Sequence, residues 1–126
     1  MRLLLDTNAL LWLVAGDPRF GAQARQDVES AAELVVSAAS LWEIAIKVSI
    51  GKLAALPGLS VVLAEAGVRR LGIEDGHLRR LESLPWHHRD PFDRLLIAQA
   101  QAEALTVLTG DRTFDDYAVP TRNARS

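Results

Sequence analysis

The chain has 126 residues, of which 49% are hydrophobic and 24% are charged, as is usual for one folded domain of this length. It contains no cysteine, which excludes a disulfide framework and a thiolate metal site, and its net charge of −2 excludes a uniformly basic nucleic-acid-binding surface. No apolar run approaches the ~20 residues of a membrane span, and no signal peptide is recognisable, so we expect a cytoplasmic protein that does not enter a membrane.

Short apolar runs at residues 3–5, 34–36, 70–73 and 106–108 predict strands that are buried on both faces. Helical patterns alternate with these runs, at residues 8–14, 22–32, 38–50, 60–66, 75–83 and 91–104. This alternation predicts an α/β fold with a parallel sheet. We expect a single domain over residues 1–126, with a loose tail at about 122–126.

Four acids follow these elements in a way that predicts one shared site. Asp6 follows the first strand, Glu43 lies on the helix after the second, and Asp111 follows the fourth. Asp93 lies at the start of the helix that precedes the fourth strand. The N-terminus of that helix should face the edge of the sheet where the strands end. Because ligands bind outside the carboxyl ends of strands in open parallel sheets, we expect the four side chains to converge there.

Each acid also has a simpler interpretation. Asp6 and Asp90 could cap the helices that follow them, and Asp111 could occupy a turn after Gly110. Glu43 could complete a capping box or pair with Lys47 four residues later. Ser37 is the better cap for the Glu43 helix because it directly follows the strand.

Helix capping does not require four carboxylates at one edge, however. Crowded carboxylates repel one another, and some stay protonated unless a cation neutralises them. Oxygen ligands without cysteine or well-spaced histidine suit Mg²⁺ or Mn²⁺. Such a site is best suited to metal-dependent hydrolysis of phosphodiesters.

The arginines are concentrated in one region, with six of them against five acids in residues 69–94. Solvated helix faces explain this concentration, and a local groove for an anionic chain is the alternative. His87 and His88 lie in a predicted loop, where a structural or solvent role is expected. We expect the tryptophans to be core or interface residues rather than base-stacking platforms; they are Trp12, Trp42 and Trp86.

Three segments between residues 3 and 117 carry a family resemblance. They are "LLLDTNALLW", "VVSAASLWEIAIKVSIGKL" and "HHRDPFDRLLIAQAQAEALTVLTGDRTFDDY". With these segments and its total length, the chain resembles the PIN-domain VapC toxins of bacterial type II toxin–antitoxin systems. The resemblance implies a PIN-like α/β fold, with a central parallel sheet of four or five strands flanked by helices. Gly110 stands where alanine is frequent in the family. The family's Mg²⁺-binding acids would be Asp6, Glu43, Asp93 and Asp111, with Thr7, Asn8, Ser37 and Thr109 as the small polar residues around them.

The resemblance also implies an activity and partners. The protein would be a Mg²⁺-dependent (or Mn²⁺-dependent) endoribonuclease that cuts single-stranded RNA, such as tRNA or rRNA loops. A cognate VapB-like antitoxin would neutralise it, and it would form a homodimer and a heterotetramer or larger assembly with that antitoxin. We expect part of the apolar surface of the early helices to form the groove for an antitoxin helix; its residues are Leu10, Leu11, Trp12, Leu13 and Phe20.

Two other classes of function remain as alternatives. A PIN fold retained only as a binding module would be expected to have lost an acid, and all four are present. A receiver-type signalling domain would carry paired acids after the first strand and a lysine after the last, and neither is found here. Whether Asp90 is only a helix cap or also belongs to the catalytic cluster stays open from the sequence.

Overall fold

A computed structural model describes residues 1–126 and places a five-stranded sheet at the centre of the molecule. All four strand pairings are parallel, and the spatial order is β3-β2-β1-β4-β5. The predicted α/β fold with a central parallel sheet is therefore confirmed. The strands are β1 (Arg2–Leu5), β2 (Glu33–Ser37), β3 (Arg69–Leu71), β4 (Thr106–Thr109) and β5 (Thr121–Asn123).

Six α-helices connect the strands, and each begins within one residue of the predicted start. They are α1 (Thr7–Ala15), α2 (Ala22–Ser30), α3 (Ala38–Ser49), α4 (Leu59–Glu65), α5 (Asp75–Glu82) and α6 (Pro91–Glu103). A short 3₁₀ helix, Arg112–Asp116, follows β4 and was not predicted. No helix has the length and apolar character needed to cross a membrane.

Local capping explains why the boundaries could be predicted. The Ser37 hydroxyl accepts a hydrogen bond from the Ala39 N–H at 3.0 Å and so caps α3, as expected. Gly16 ends α1 with φ 63°, a left-handed conformation that glycine adopts without steric penalty. These caps depend on residues that are neighbours in sequence, so they can be predicted without knowledge of the tertiary structure.

The core lies on both faces of the sheet because β1 alternates its side chains between them. Leu3 and Leu5 belong to one cluster, which includes Leu10 of α1, and Leu4 belongs to the other, which includes Leu96 of α6. All five side chains are fully buried. Burial on both faces holds for the central strands but not for β3, whose Arg69 and Arg70 remain partly accessible at the edge of the sheet.

The expected loose tail at 122–126 is wrong. Residues Thr121–Asn123 form β5, which pairs with β4, and the following Ala124 is fully buried. The Gly21 N–H donates to the Ala124 carbonyl at 3.0 Å, and the Gln23 N–H donates to the Ser126 carbonyl at 3.0 Å. The strand escaped prediction because a short, polar edge strand carries no hydrophobic period.

The expected apolar groove around α1 is also wrong in its location. Phe20 is buried, and Leu11 and Leu13 are packed against the core cluster, so little of this surface is free. Of the tryptophans, which we expected in the core or at an interface, Trp12 lies in the core, whereas Trp42 and Trp86 are 59% and 77% exposed. Helices α3 and α4, rather than α1, border an open apolar groove of about 410 Å³.

Candidate active site

The four predicted acids meet at the carboxyl edge of the sheet. Asp6 follows β1 and Asp111 follows β4, whereas Glu43 lies in the second turn of α3 and Asp93 in the first turn of α6. Their charges affect one another: those of Asp111 and Glu43 act on Asp6, and those of Asp6 and Glu43 act on Asp93. The structure thus brings together the side chains that the strand and helix order predicted to converge.

Asp6 is a buried carboxylate with a structural contact on each oxygen. One oxygen accepts the Ala9 N–H at 2.8 Å and caps α1, and the other accepts the Thr109 hydroxyl. Burial nevertheless raises the pKa of Asp6 to about 6, with smaller contributions from the charges of Asp111 and Glu43. Asp6 therefore caps α1, as the simpler interpretation predicted. The negative charge of its carboxylate, however, is not neutralised by the protein alone.

Glu43 is anchored from two sides. The Thr7 hydroxyl donates to one carboxylate oxygen at 2.6 Å, and the Lys47 ammonium lies 3.1 Å from the other. The Ser40 hydroxyl is 3.0 Å from that of Thr7 and extends the contact into α3. The predicted ion pair with Lys47 is present, whereas the capping box is not, because Ser37 caps the helix.

Asp93 is the acid with the most strongly perturbed pKa in this group. Burial raises its pKa to about 7, the charges of Asp90, Asp6 and Glu43 add to the effect, and His88 opposes it. Asp90 itself caps α6 as predicted, since one of its oxygens accepts the N–H groups of Phe92 at 2.8 Å and Asp93 at 3.2 Å. Asp90 is therefore a cap whose charge also acts on Asp93.

Asp111 is the most exposed of the four acids. It accepts hydrogen bonds from the hydroxyl and the N–H of Thr113, the latter at 2.9 Å, and so caps the 3₁₀ helix. Partial desolvation raises its pKa, but these hydrogen bonds and the nearby His88 outweigh it, and the net pKa is lowered. The Asp111 N–H donates to the Thr109 hydroxyl at 3.0 Å, which links Asp111 to Asp6 through one threonine.

His88 is the functional candidate that sequence reasoning missed. Its Nε2 lies 3.0 Å from an oxygen of Asp93 and 3.5 Å from one of Asp111. The Asp90 N–H points to its Nδ1 at 3.3 Å, which assigns Nδ1 as the acceptor and the ring hydrogen to Nε2. The ring therefore presents an N–H group to the two acids.

Long-range hydrogen bonds hold the loop that carries His88. The Tyr117 hydroxyl accepts the N–H groups of His87 and His88 at 3.1 and 2.9 Å, and it donates to the Pro85 carbonyl at 2.9 Å. Arg94, which is buried, donates to the same carbonyl at 2.7 Å. The sequence correctly indicated a loop. It could not predict that the loop folds back onto the acids, because these contacts involve residues that are distant in sequence.

The remaining predicted residues divide into two groups. Thr7, Thr109 and Asn8 lie at the site, the first two by direct contact with the acids and Asn8 by lining the cavity beside Asp6. The Ser37 hydroxyl instead accepts the Ala39 N–H, so its contact is with the backbone of α3 rather than with an acid. Ser37 supports the site only by fixing the helix that carries Glu43.

The acidic edge opens into a cavity of about 350 Å³. Two arginines from the C-terminal part of the chain, Arg112 and Arg125, line it together with Asp6 and Asp111. A second polar cavity of about 320 Å³ shares four lining residues with the first. These shared residues are Gly110, Asp111, Arg112 and Arg125.

Comparison with known proteins gives the same result at the levels of family, sequence and fold. The PIN domain family model matches residues 3–120. Ribonuclease VapC22 of Mycobacterium tuberculosis is 34% identical over 122 residues, which cover 94% of this chain and 93% of that protein.

Solved structures share the fold over almost the whole length. VapBC2 from Rickettsia felis, bound to a DNA fragment from its promoter, matches with a TM-score of 0.76 and 17% identity over 98% of both chains. FitAcB from Neisseria gonorrhoeae matches with a TM-score of 0.70 and 20% identity over 97% of both chains. The chain therefore belongs to the PIN-domain family and, within it, to the VapC group.

Proposed function

We propose that this protein is a metal-dependent endoribonuclease toxin that hydrolyses phosphodiester bonds in single-stranded RNA, with tRNA or rRNA loops as the substrate class. The observation that supports this most directly is the convergence of Asp6, Glu43, Asp93 and Asp111 from four separate segments on one edge of the sheet. The 34% identity to a protein named a ribonuclease supports the choice of RNA. We propose the cytoplasm as the place of this activity, because tRNA and rRNA are found there.

The residues present fit Mg²⁺ or Mn²⁺. All four proposed ligands are carboxylates, which these hard cations prefer. Asp6 is buried and Asp93 is half-buried, and neither forms an ion pair with a lysine or an arginine. When bound, the cation would orient a water molecule for attack on the phosphate and stabilise the charge of the leaving oxygen. His88 could add a nitrogen ligand, since its ring lies with Asp93 and Asp111 in a group whose ligand atoms are within 4.8 Å of one another.

The chain's own residues would prepare the site for this reaction. Thr109 fixes Asp6, Thr7 and Lys47 fix Glu43, and His88 fixes Asp93. The ring of Trp42 packs edge-on against that of Phe92, with centroids 5.1 Å apart, and so joins α3 to α6 beside their acids. Such contacts around the ligands set carboxylate orientation and thereby metal affinity.

An RNA cleavage assay tests the proposal. Purified protein is incubated with total RNA in Mg²⁺, in Mn²⁺ and in EDTA, and the new RNA ends are mapped. We expect cleavage at a small number of sites with either metal and none in EDTA. Cleavage that persists in EDTA would overturn the metal mechanism, and absence of cleavage with both metals would favour the alternative of a catalytically silent binding module.

We further propose a VapB-like antitoxin as the partner, with a homodimer of this chain in a heterotetramer or larger complex. The similar structures include toxin–antitoxin assemblies, one of them from Klebsiella pneumoniae. The apolar groove between α3 and α4, lined in part by Leu41, Ile44 and Val48, offers a surface for an antitoxin's apolar side chains. Co-expression with the protein encoded beside this one should give a stable complex without cleavage activity.

A further inference from the structure

We propose that Arg112 and Arg125 form a phosphate-binding subsite beside the acidic cluster, which holds the backbone of the single-stranded RNA next to the bond that is cut. This inference rests on the proposed ribonuclease function and assigns two residues to its substrate.

Arg125 reaches the site because the C-terminal segment is fixed to the sheet. After β5, its side chain turns towards Trp12, with the guanidinium carbon 4.7 Å from the ring centroid, a distance typical of a cation–π contact. Its Nε donates to the Gly110 carbonyl at 3.5 Å, and neither terminal nitrogen has a partner in the protein. Two N–H₂ groups are thus held at the cavity and remain free to bind a ligand.

Arg112 directly follows Asp111 and begins the 3₁₀ helix. It makes no side-chain hydrogen bond or ion pair, and it lines both polar cavities. Arg122, which lines the second cavity, differs because two of its nitrogens bind Asp27 at 3.1 and 2.9 Å. Of the three arginines that line these two cavities, Arg112 and Arg125 are therefore the ones that form no ion pair with an acid of the protein.

Two glycines make room for this arrangement. A Cβ atom at Gly110 would lie 2.9 Å from the Trp12 ring and 3.1 Å from the Arg125 Nε. A Cβ atom at Gly21 would lie 2.0 Å from the Ser126 carbonyl carbon. Close packing at both positions fixes the segment that carries Arg125, and it gives a physical reason for glycine at 110, where the family often has alanine.

The negatively charged backbone of an RNA substrate requires positively charged groups such as these two guanidinium groups. A cluster of four acids repels the RNA backbone, and a bound metal compensates for this only at the phosphate that reacts. Guanidinium groups form paired, charge-assisted hydrogen bonds with phosphate oxygens, which fix the register of a strand without reading its sequence. The two cavities share the turn from Gly110 to Arg112, so they form one track along which neighbouring phosphates can lie.

Binding of a short fluorescein-labelled single-stranded RNA tests the subsite. The measurement uses the Asp93→Asn protein in Mg²⁺, which prevents cleavage, over a series of salt concentrations. Adding Arg112→Gln or Arg125→Gln should weaken binding roughly tenfold and reduce the slope of log affinity against log salt by about 0.7, the value for one lost contact to a single strand. Arg125→Lys should keep the salt slope but lose part of the affinity, because the ammonium lacks the planar fork.

Arg79→Gln is the matched control. It removes the same charge from an exposed position on α5, which follows β3 at the opposite edge of the sheet. Equal weakening by Arg79→Gln, or unchanged binding with both Arg112→Gln and Arg125→Gln, would overturn the subsite. Arg112 makes no side-chain hydrogen bond or ion pair, so its result stands even if Arg125→Gln disturbs the packing around Trp12.

The two proposals fail in different ways. If the unmodified protein cleaves RNA and the arginine variants bind and cleave as it does, only the subsite is wrong. If the unmodified protein cleaves no RNA in either metal, the proposed function is wrong whatever the binding data show.

Discussion

At the scale of single residues, structural and functional roles are combined rather than alternative. Asp6 and Asp111 each cap a helix with one oxygen and remain at the shared acidic edge. The sequence therefore supported both interpretations of these residues, and both describe the same side chain. Only the positions of the neighbouring acids, which belong to the tertiary structure, show that these capping residues also lie in a shared acidic cluster.

His88 gives a prediction at this scale. His88→Leu removes the N–H group that contacts Asp93, whereas His88→Gln keeps an N–H group at a similar distance from the backbone. Because contacts of this kind typically change metal affinity by 10–100-fold, we expect His88→Leu to weaken Mn²⁺ binding roughly tenfold and His88→Gln to retain most of it. Isothermal titration calorimetry with Mn²⁺ measures this, and equal losses in the two variants would show that hydrogen donation is not the role of the ring.

At the scale of elements, the N-terminus of α6 carries two aspartates three residues apart. Asp90 caps the helix, whereas Asp93 belongs to the acidic cluster. Asp90→Asn should leave stability nearly unchanged because asparagine caps as well as aspartate, whereas Asp90→Ala should cost about 1 kcal/mol. Asp93 makes no capping contact with its side chain, so Asp93→Asn should preserve the fold and reduce RNA cleavage by orders of magnitude.

Urea unfolding and cleavage rates of the three variants check this prediction. Asp90→Ala is the control for the cap, since it should lower stability without the large loss of activity expected of Asp93→Asn. A loss of activity in folded Asp90→Asn as large as that in Asp93→Asn would place Asp90 in the catalytic cluster.

The elements also show what the sequence could and could not predict. Helix starts were predictable because caps such as Ser37 and Asp90 act through neighbours in sequence. The acidic edge was predictable because strand order in an α/β fold fixes where strands end. Strand β5 and the fold of the His88 loop were not, because pairing with β4 and contacts with Tyr117 come from distant residues.

At the scale of the whole molecule, the buried acids predict how stability depends on pH. The pKa values of Asp6 and Asp93 are about 6 and 7 in the folded protein, well above the ordinary value for aspartate. The acids with lowered pKa values, Asp17, Asp27, Glu33 and Asp111, act in the opposite sense, but mainly below about pH 5. Between about pH 5 and pH 7 the folded state therefore binds more protons than the unfolded state, and stability falls as the pH rises through this range. We expect the metal-free protein to lose on the order of 3–5 kcal/mol across this interval.

Urea unfolding in EDTA at a series of pH values measures this loss. Asp93→Asn should flatten the trend, since it removes the acid with the higher pKa. Saturating Mn²⁺ should raise the melting temperature most at the alkaline end, where the ligands are ionised. Metal-free stability that increases from about pH 5 to pH 8 would contradict the account of uncompensated charge.

The central position of β1 has a consequence for how the chain acquires its shape. Its Leu5 lies beside Val36 of β2 on one side and Leu108 of β4 on the other. Strand β1 is therefore synthesised first, but its pairing with β4 can form only after most of the chain has been synthesised. Pairings between such distant residues slow folding, and ribosomes add only about 5–20 residues per second. Asp111 joins Asp6 only after β4 has docked, so during most of its synthesis the nascent polypeptide lacks the assembled acidic centre.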